Sequence, residues 1–395
     1  MTTQLTYDRF EILCREDMRR AIDENIERDP VAVALDRHIP SAADAATQIK
    51  YLQRARRKLP SYYQARCILP SRAFEQSSGE ACALRKPLAG ESAVDLTCGL
   101  GVDAFTLSKR FRRVVAVERD EVLAEVAREN FRRLGAGNIE VVCDTAEHFV
   151  SECRERFDWC FADPDRRGTD GRKKVLVEDC SPDIAALMPA ILNRVAARSC
   201  IKMSPMFDVD EAFRLFSQFG PCSVEVVSAA DECKEVLVYT DAGREPSLTA
   251  VAIGKGEFSA PQKEKDNQSI AKNDKMFEPG RYGWLIVPDV ALQKARLVRR
   301  CFGKEAFAPS ENGFVFAGTA PDGEVLGRVF EIESVQRYDP RRLRREMKGL
   351  RTEIMLRDTR LTAARILKEA GMREGGDARM AFTDIGGEIW AIRLK

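Results

Sequence analysis

Residues 94–105 read VDLTCGLGVDAF, and the fold turns on how that stretch is parsed. An apolar run ends in Asp95, glycines follow at 99 and 101, and an apolar helical pattern begins directly after them. A buried strand that enters a glycine-rich turn and then a helix opens a βα unit whose backbone N–H groups face a ligand. Gly99-Leu-Gly101-Val-Asp-Ala104 also satisfies the GxGxxG/A pattern of dinucleotide sites, with Glu118 ending the next expected strand where a ribose is held.

Outward from this turn the same grammar repeats. Strands are expected at 93–97, 114–118, 139–143, 159–163, 199–203 and 224–229. Amphipathic helices such as EVLAEVARENFRRLG, stopped by Gly135, fill the gaps. That alternation specifies a doubly wound parallel sheet. KEVLVYT and LTAVAIGK, joined by DAGREPS, read as a terminal hairpin closing the sheet near residue 255. Upstream, Phe10, Leu13, Met18, Ile22 and Ile26 recur at helical spacing, so residues 1–75 read as a helical region. Downstream, 256–275 has almost no apolar residues and reads as a linker. From Tyr282 onward come YGWLIV, a helix opened by Pro288-Asp289 (VALQKARLVRRCF), the strands GFVFAG and RVFEIESV, and an antiparallel pair around Gly386-Gly387, an α+β pattern.

Four acids fall at the carboxyl ends of successive strands: Asp95, Glu118, Asp144 and Asp163. An open α/β sheet binds its ligand at that edge. So many acids would repel a pyrophosphate, which argues against NAD. They suit S-adenosylmethionine (AdoMet): Asp95 accepts from its ammonium, Glu118 from its ribose hydroxyls and Asp144 from its adenine amine. The bland account of Asp95 and Asp144 is helix capping after a strand.

The ordered motifs DLTCGLGVD, VVAVERD, VVCDTAEHF and FADPDRRG resemble a class I AdoMet-dependent methyltransferase with a Rossmann-like sheet. FEQSSGEACALRK, DPDRRG, LVEDCSPDI, IKMSPMFD and SAADECKEVLVY resemble, more closely, the bacterial methyltransferases that end in a THUMP-like domain. Periodicity and composition give a helical region over 1–75 and a linker over 256–277; the resemblance, which covers most of the chain beyond about residue 70, implies the methyltransferase domain over 76–255, a ferredoxin-like segment over 278–325 and a THUMP-like domain over 326–395. It also implies an RNA substrate, a structured ribosomal or transfer RNA, with methylation of a small molecule or a protein side chain, or silent AdoMet-dependent RNA binding, as the competing readings. Glu80, Thr97, Gly99 and Gly101 join the four acids as expected cofactor contacts.

The turn Asp163-Pro164-Asp165-Arg166 stands where amino-methylating enzymes carry an Asp/Asn-Pro-Pro-aromatic turn. The aromatic is missing, so stacking on a base falls to Arg166 or Arg167. Asp163, Pro164 and Arg166 are the expected catalytic set; Ser77, Arg166, Arg167 and Lys202 are the expected substrate contacts. A local Asp163–Arg166 salt bridge is the competing account. Cys180, before Ser181-Pro182, reads as a buried thiol.

Composition bounds the rest. With 395 residues, 44% hydrophobic and 32% charged, the chain has the size and balance of a soluble multidomain protein. Twelve scattered cysteines without a CxxC pair read as free thiols, and His148, Cys153 and Cys160 match no zinc spacing, so no metal is expected. No apolar run suggests a leader or membrane span, which makes the cytoplasm the expected compartment, and no obligate protein partner is implied. The net charge of +1 conceals two basic tracts. Residues 50–72 hold seven bases and no acid, with Tyr51, Tyr62 and Tyr63 interleaved. Residues 337–368 hold eleven bases against four acids. Both suit an anionic polymer better than a small metabolite.

Overall fold

The computed structural model of the chain describes residues 5–165, 181–262, 277–303, 306–376 and 378–395. Arg166, Arg167, Cys180 and residues 263–276 of the expected linker lie outside the described residues.

Seven helices come first: α1 (Tyr7–Cys14), α2 (Glu16–Glu24), α3 (Pro30–Ala34), α4 (Ala42–Lys58), α5 (Pro60–Gln64), α6 (Ser71–Gln76) and α7 (Glu80–Arg85). A βα series follows with β1 (Gly90–Asp95), α8 (Val102–Ser108), β2 (Phe111–Glu118), α9 (Glu121–Arg133), β3 (Ile139–Cys143), α10 (Ala146–Glu152), β4 (Phe157–Ala162), α11 (Ile184–Ala190), β5 (Ala196–Met203) and α12 (Val209–Phe216). Then come β6 (Cys222–Ala229), β7 (Glu232–Thr240), β8 (Ser247–Ala252) and β9 (Gly256–Pro261). Strand order in this nine-stranded sheet is β3-β2-β1-β4-β5-β7-β6-β8-β9. The order reverses between β1 and β4, which pair in parallel, so the crevice at their carboxyl ends is the topological switch point.

Two expectations are corrected here. KEVLVYT and LTAVAIGK form no hairpin with each other: β7 lies between β5 and β6, whereas β8 pairs in parallel with β6 and antiparallel with β9. The real tight turn is Ala230-Asp231, both at positive φ (52° and 60°), the geometry that matches the twist of a two-residue β-hairpin. DAGREPS is turn-rich but too long to compete with it. The sheet also does not close at 255. Residues 256–261, assigned to the linker for their polarity, are an edge strand, where one face needs no apolar residues.

The C-terminal part adds β10 (Trp284–Pro288), α13 (Val290–Ala295), α14 (Val298–Phe302), β11 (Val315–Ala317), β12 (Gly327–Arg337), α15 (Pro340–Met347), β13 (Arg351–Leu356), α16 (Ala363–Ala370), β14 (Arg373–Glu374), β15 (Ala378–Ile385) and β16 (Glu388–Leu394). These strands make one seven-stranded sheet, ordered β11-β10-β12-β16-β15-β13-β14. The division expected at 325/326 therefore cuts through a sheet, because β12 pairs with β10 on one side and β16 on the other. The helix expected across 290–302 is two helices, since Arg296 takes a left-handed φ of 54° and pairs with Asp210. Leu343, Met347, Ile366 and Ala370 of α15 and α16 pack on Met380, Phe382 and Ala391 to form a core of their own.

By contact density the chain divides into two compact units. One comprises Met1–Met203, Glu211–Cys222 and Leu237–Arg244; the other comprises Ser204–Asp210, Ser223–Val236 and Glu245–Lys395. Within the first, the helical region is built into the sheet layer. The Asn130 amide of α9 donates to the Ile68 carbonyl (2.9 Å) and accepts from the Ile68 N–H (2.7 Å), with Asn130 fully buried. Asn130→Ala leaves both backbone groups unpaired and should lower stability by about 1–3 kcal/mol in denaturant unfolding, without changing the slope of the transition.

Candidate functional site

The turn after β1 is held from three sides. The Gly101 N–H donates to the Cys98 carbonyl (2.8 Å), and both Gly99 and Gly101 have positive φ (55° and 83°). A Cβ on Gly101 would lie 2.5 Å from the Phe131 ring, so packing forbids a side chain there. A Cβ on Gly99 meets nothing nearer than the Thr97 carbonyl at 3.9 Å, which leaves open space for a ligand. From the helical region, the buried Tyr62 hydroxyl donates to the Leu100 carbonyl (3.3 Å) and its ring meets Phe105 edge-on.

Asp95 is fully buried at the end of β1. Its Oδ1 accepts from the Thr97 N–H at 2.9 Å, but its Oδ2 has no hydrogen-bond partner. Burial, reinforced by Asp103, Asp163 and Glu118, pushes its carboxyl up to about 8. Glu118 accepts from the Gly99 N–H (2.7 Å) and the Asp120 N–H (3.0 Å), and burial raises it as well. Asp163 donates its N–H to Thr97 Oγ1 (2.6 Å), and its carboxylate takes the Lys202 ammonium. Thr97 thus ties the turn after β1 to the turn after β4, while Lys202 ties β5 to the turn after β4. Pro164 is buried behind them.

The sequence missed Asp103. It accepts from Lys86 Nζ (2.7 Å) and Ser78 Oγ (2.7 Å), all three being buried. Burial opposes its charge, yet Lys86 and Lys202 outweigh burial and hold it below the usual carboxylate range. A lysine thirteen residues before a glycine-rich turn carries no local signal of such a pairing.

Glu80, Ser77 and Asp144 already have partners within the protein. Both Glu80 oxygens accept from Ser61, one from its N–H (2.9 Å) and one from its hydroxyl (2.5 Å), so Glu80 caps α5. Ser77 donates to the Phe74 carbonyl at the end of α6. Asp144 accepts from the Thr145 N–H and pairs with Nδ1 of the exposed His148 at 2.7 Å, a contact that raises the imidazole above its ordinary value.

The two basic tracts differ. In the first, Arg54 pairs with Glu75, Arg56 with Glu27 and Arg66 with Asp23, while Tyr51 and Tyr62 are buried. In the second, Arg341, Arg344 and Arg345 line the exposed face of α15, where only Arg342 pairs, with Glu346. Among the described residues there is no group of three or more His, Cys, Asp or Glu able to hold a metal, and no helix long and apolar enough to cross a membrane.

Residues 93–168 match the family described as a methyltransferase domain, and residues 327–395 match the family described as THUMP domain-like. The chain carries a methyltransferase domain and a THUMP-like domain. The 23S rRNA (uracil(1939)-C(5))-methyltransferase of Xylella fastidiosa is 40% identical over 89 residues, 20% of this chain and 18% of that protein. An RNA methyltransferase of Thermosynechococcus vestitus with no further characterisation is 29% identical over 117 residues, 29% of this chain and 26% of that protein. The chain thus spans about a quarter or less of the length of these curated relatives. A solved structure from Porphyromonas gingivalis W83, assigned as a methyltransferase, superposes with a TM-score of 0.79 at 23% identity, covering 100% of this chain and 99% of that one. Its likeness is one of fold, and it extends beyond the methyltransferase domain to both ends of the chain.

Asp95 gives this domain a pH signature. Because its folded value lies above the unfolded one (about 4), its protonated form stabilises the ligand-free fold at low pH, and that stability is lost as pH rises toward 8. Asp95→Asn should therefore be more stable than the parent at pH 8 and about equal to it near pH 4, measured by thermal unfolding without ligand.

Proposed function

We propose that the chain is a cytoplasmic AdoMet-dependent methyltransferase acting on RNA. One observation carries the cofactor reading: a fully buried carboxylate oxygen, Asp95 Oδ2, without a partner beside the open space at Gly99. A buried acid without a counter-charge is costly, and a ligand ammonium removes that cost. Glu118 is already aligned by the Gly99 N–H to accept from a ribose diol. AdoMet supplies an electrophilic methyl group on a sulfonium. The protein's share is alignment: Thr97 and Lys202 fix Asp163 at the edge where an acceptor enters. Asp144, bonded to His148, is assigned to the adenine amine, and the exposed His148 is free to yield to it.

The RNA reading is supported by the names of the relatives, by the THUMP-like match and by the exposed arginine face of α15. That face, rather than the tract at 50–72, is assigned to the phosphates, because three of the earlier tract's five arginines, Arg54, Arg56 and Arg66, are engaged by carboxylates of this chain.

S-adenosylhomocysteine should bind in calorimetry and NAD should not; Gly99→Val should abolish binding by filling the open space. Preferential NAD binding would overturn the cofactor reading. RNA affinity should fall steeply with salt, with a log–log slope of about −0.7 per phosphate contact. Reversing Arg341, Arg344 and Arg345 to Glu together should flatten that slope by roughly two units and leave S-adenosylhomocysteine binding unchanged. An unchanged slope would show that α15 takes no part in gripping RNA.

A further inference from the structure

The residues around Asp163 bear on which atom receives the methyl group, a question that rests on the RNA methyl-transfer reading above. Four kinds of acceptor are available in RNA: a base amine, a base ring nitrogen, a base carbon and the ribose 2′-hydroxyl.

A base amine fits poorly. Amine methylation needs acceptor oxygens for the leaving protons and a ring to stack the base. Here one Asp163 oxygen is occupied by Lys202. The position after Pro164 is Asp165, whose N–H and carbonyl are both bonded to Ser181 (2.9 Å each) and whose carboxylate faces Arg72 at 3.9 Å. A nitrogen also becomes cationic as it takes the methyl, and the Lys202 ammonium opposes that charge. A base carbon attacked through a cysteine needs a thiolate. Among the described residues nearest the site, Cys98 in the turn after β1 and Cys160 in β4 are buried and pushed up by desolvation, so both stay neutral thiols.

A hydroxyl fits the pair. An oxygen that loses its proton gains negative charge, which a neighbouring ammonium stabilises, and the partner carboxylate is placed to take the proton. We propose that the Asp163–Lys202 pair receives an RNA 2′-hydroxyl and that the chain is a ribose methylase. In the step, the hydroxyl oxygen bonds the methyl carbon as the carbon–sulfur bond breaks with its electron pair left on sulfur. The hydroxyl proton passes to Asp163 and then to water. Lys202 keeps its proton throughout and is held in place by Asp163, with Asp103 as a second nearby acid.

The test uses the full chain, methyl-tritiated AdoMet and total RNA from a strain lacking the gene. Products are digested with alkali, which cannot cleave beside a 2′-O-methyl group. Label in alkali-resistant dinucleotides is the expected result. Label in mononucleotides carrying a methylated base would overturn the hydroxyl assignment and leave the RNA reading standing; no label in RNA would overturn both. Lys202→Ala should lower turnover about 100-fold and shift the rising limb of the pH–rate profile upward, with Lys202→Arg restoring part of the rate. Calorimetric S-adenosylhomocysteine affinity should be unchanged in both variants, which separates loss of chemistry from loss of fold. A Lys202→Ala profile superimposable on the parent's would remove Lys202 from the reaction.

Discussion

Carboxylates confined in a dry crevice repel one another, and the edge formed by β1, β2, β4 and β5 is organised around that repulsion. Three of the four acids nearest the glycine-rich turn have their charge offset. Asp103 has Lys86, Asp163 has Lys202, and Glu118 has two backbone N–H groups. Asp95 has no cation and one oxygen without a donor, and burial together with the neighbouring acids pushes its carboxyl up to about 8. The protein has left one negative position for a ligand to neutralise. Binding and folding stability are thereby opposed at the same residue: what makes Asp95 a good acceptor makes the ligand-free fold less stable at neutral pH.

The helical region has a structural claim on this edge. Tyr62 fixes the carbonyl of Leu100, Glu80 caps the helix that carries Tyr62, and Ser78 and Lys86 hold Asp103. Asn130 then locks the backbone at Ile68 to α9. Residues that precede the sheet by thirty positions thus set the shape of the turn that follows its first strand. The paired arginines of α4 belong to the same task, since Arg54 pins α4 to Glu75 of α6 and Arg56 pins it to Glu27 in the turn between α2 and α3.

How much of this was legible in the sequence follows from the range of each interaction. Strands β1 to β6 were legible as short apolar runs alternating with amphipathic helices, β2 and β6 most plainly as buried valine-rich ones, and the glycine turn because it is local. The neighbours of β7 were not legible, because hydropathy reports that a strand is buried and not which strand lies beside it. The polar edge strand β9 was mistaken for linker on composition, the only evidence that a one-sided strand gives. At the site, the positions of Asp95, Glu118 and Asp163 at strand ends followed from periodicity. Their partners did not: Lys202 could be placed at the edge but not on Asp163, and Glu80 looked free until Ser61 was seen to occupy both of its oxygens.

The Asp165–Ser181 bridge closes the chain on itself at the mouth of this crevice, through two reciprocal backbone hydrogen bonds. Arg119 adds a bond to the Ser181 hydroxyl and so anchors the closure to the end of β2. The turn that carries Asp163 is thus braced from two directions, by β5 through Lys202 and by β2 through Arg119. A change at Arg119, a residue that touches neither Asp163 nor the glycine-rich turn directly, would therefore loosen the segment after β4 and with it the carboxylate at the crevice.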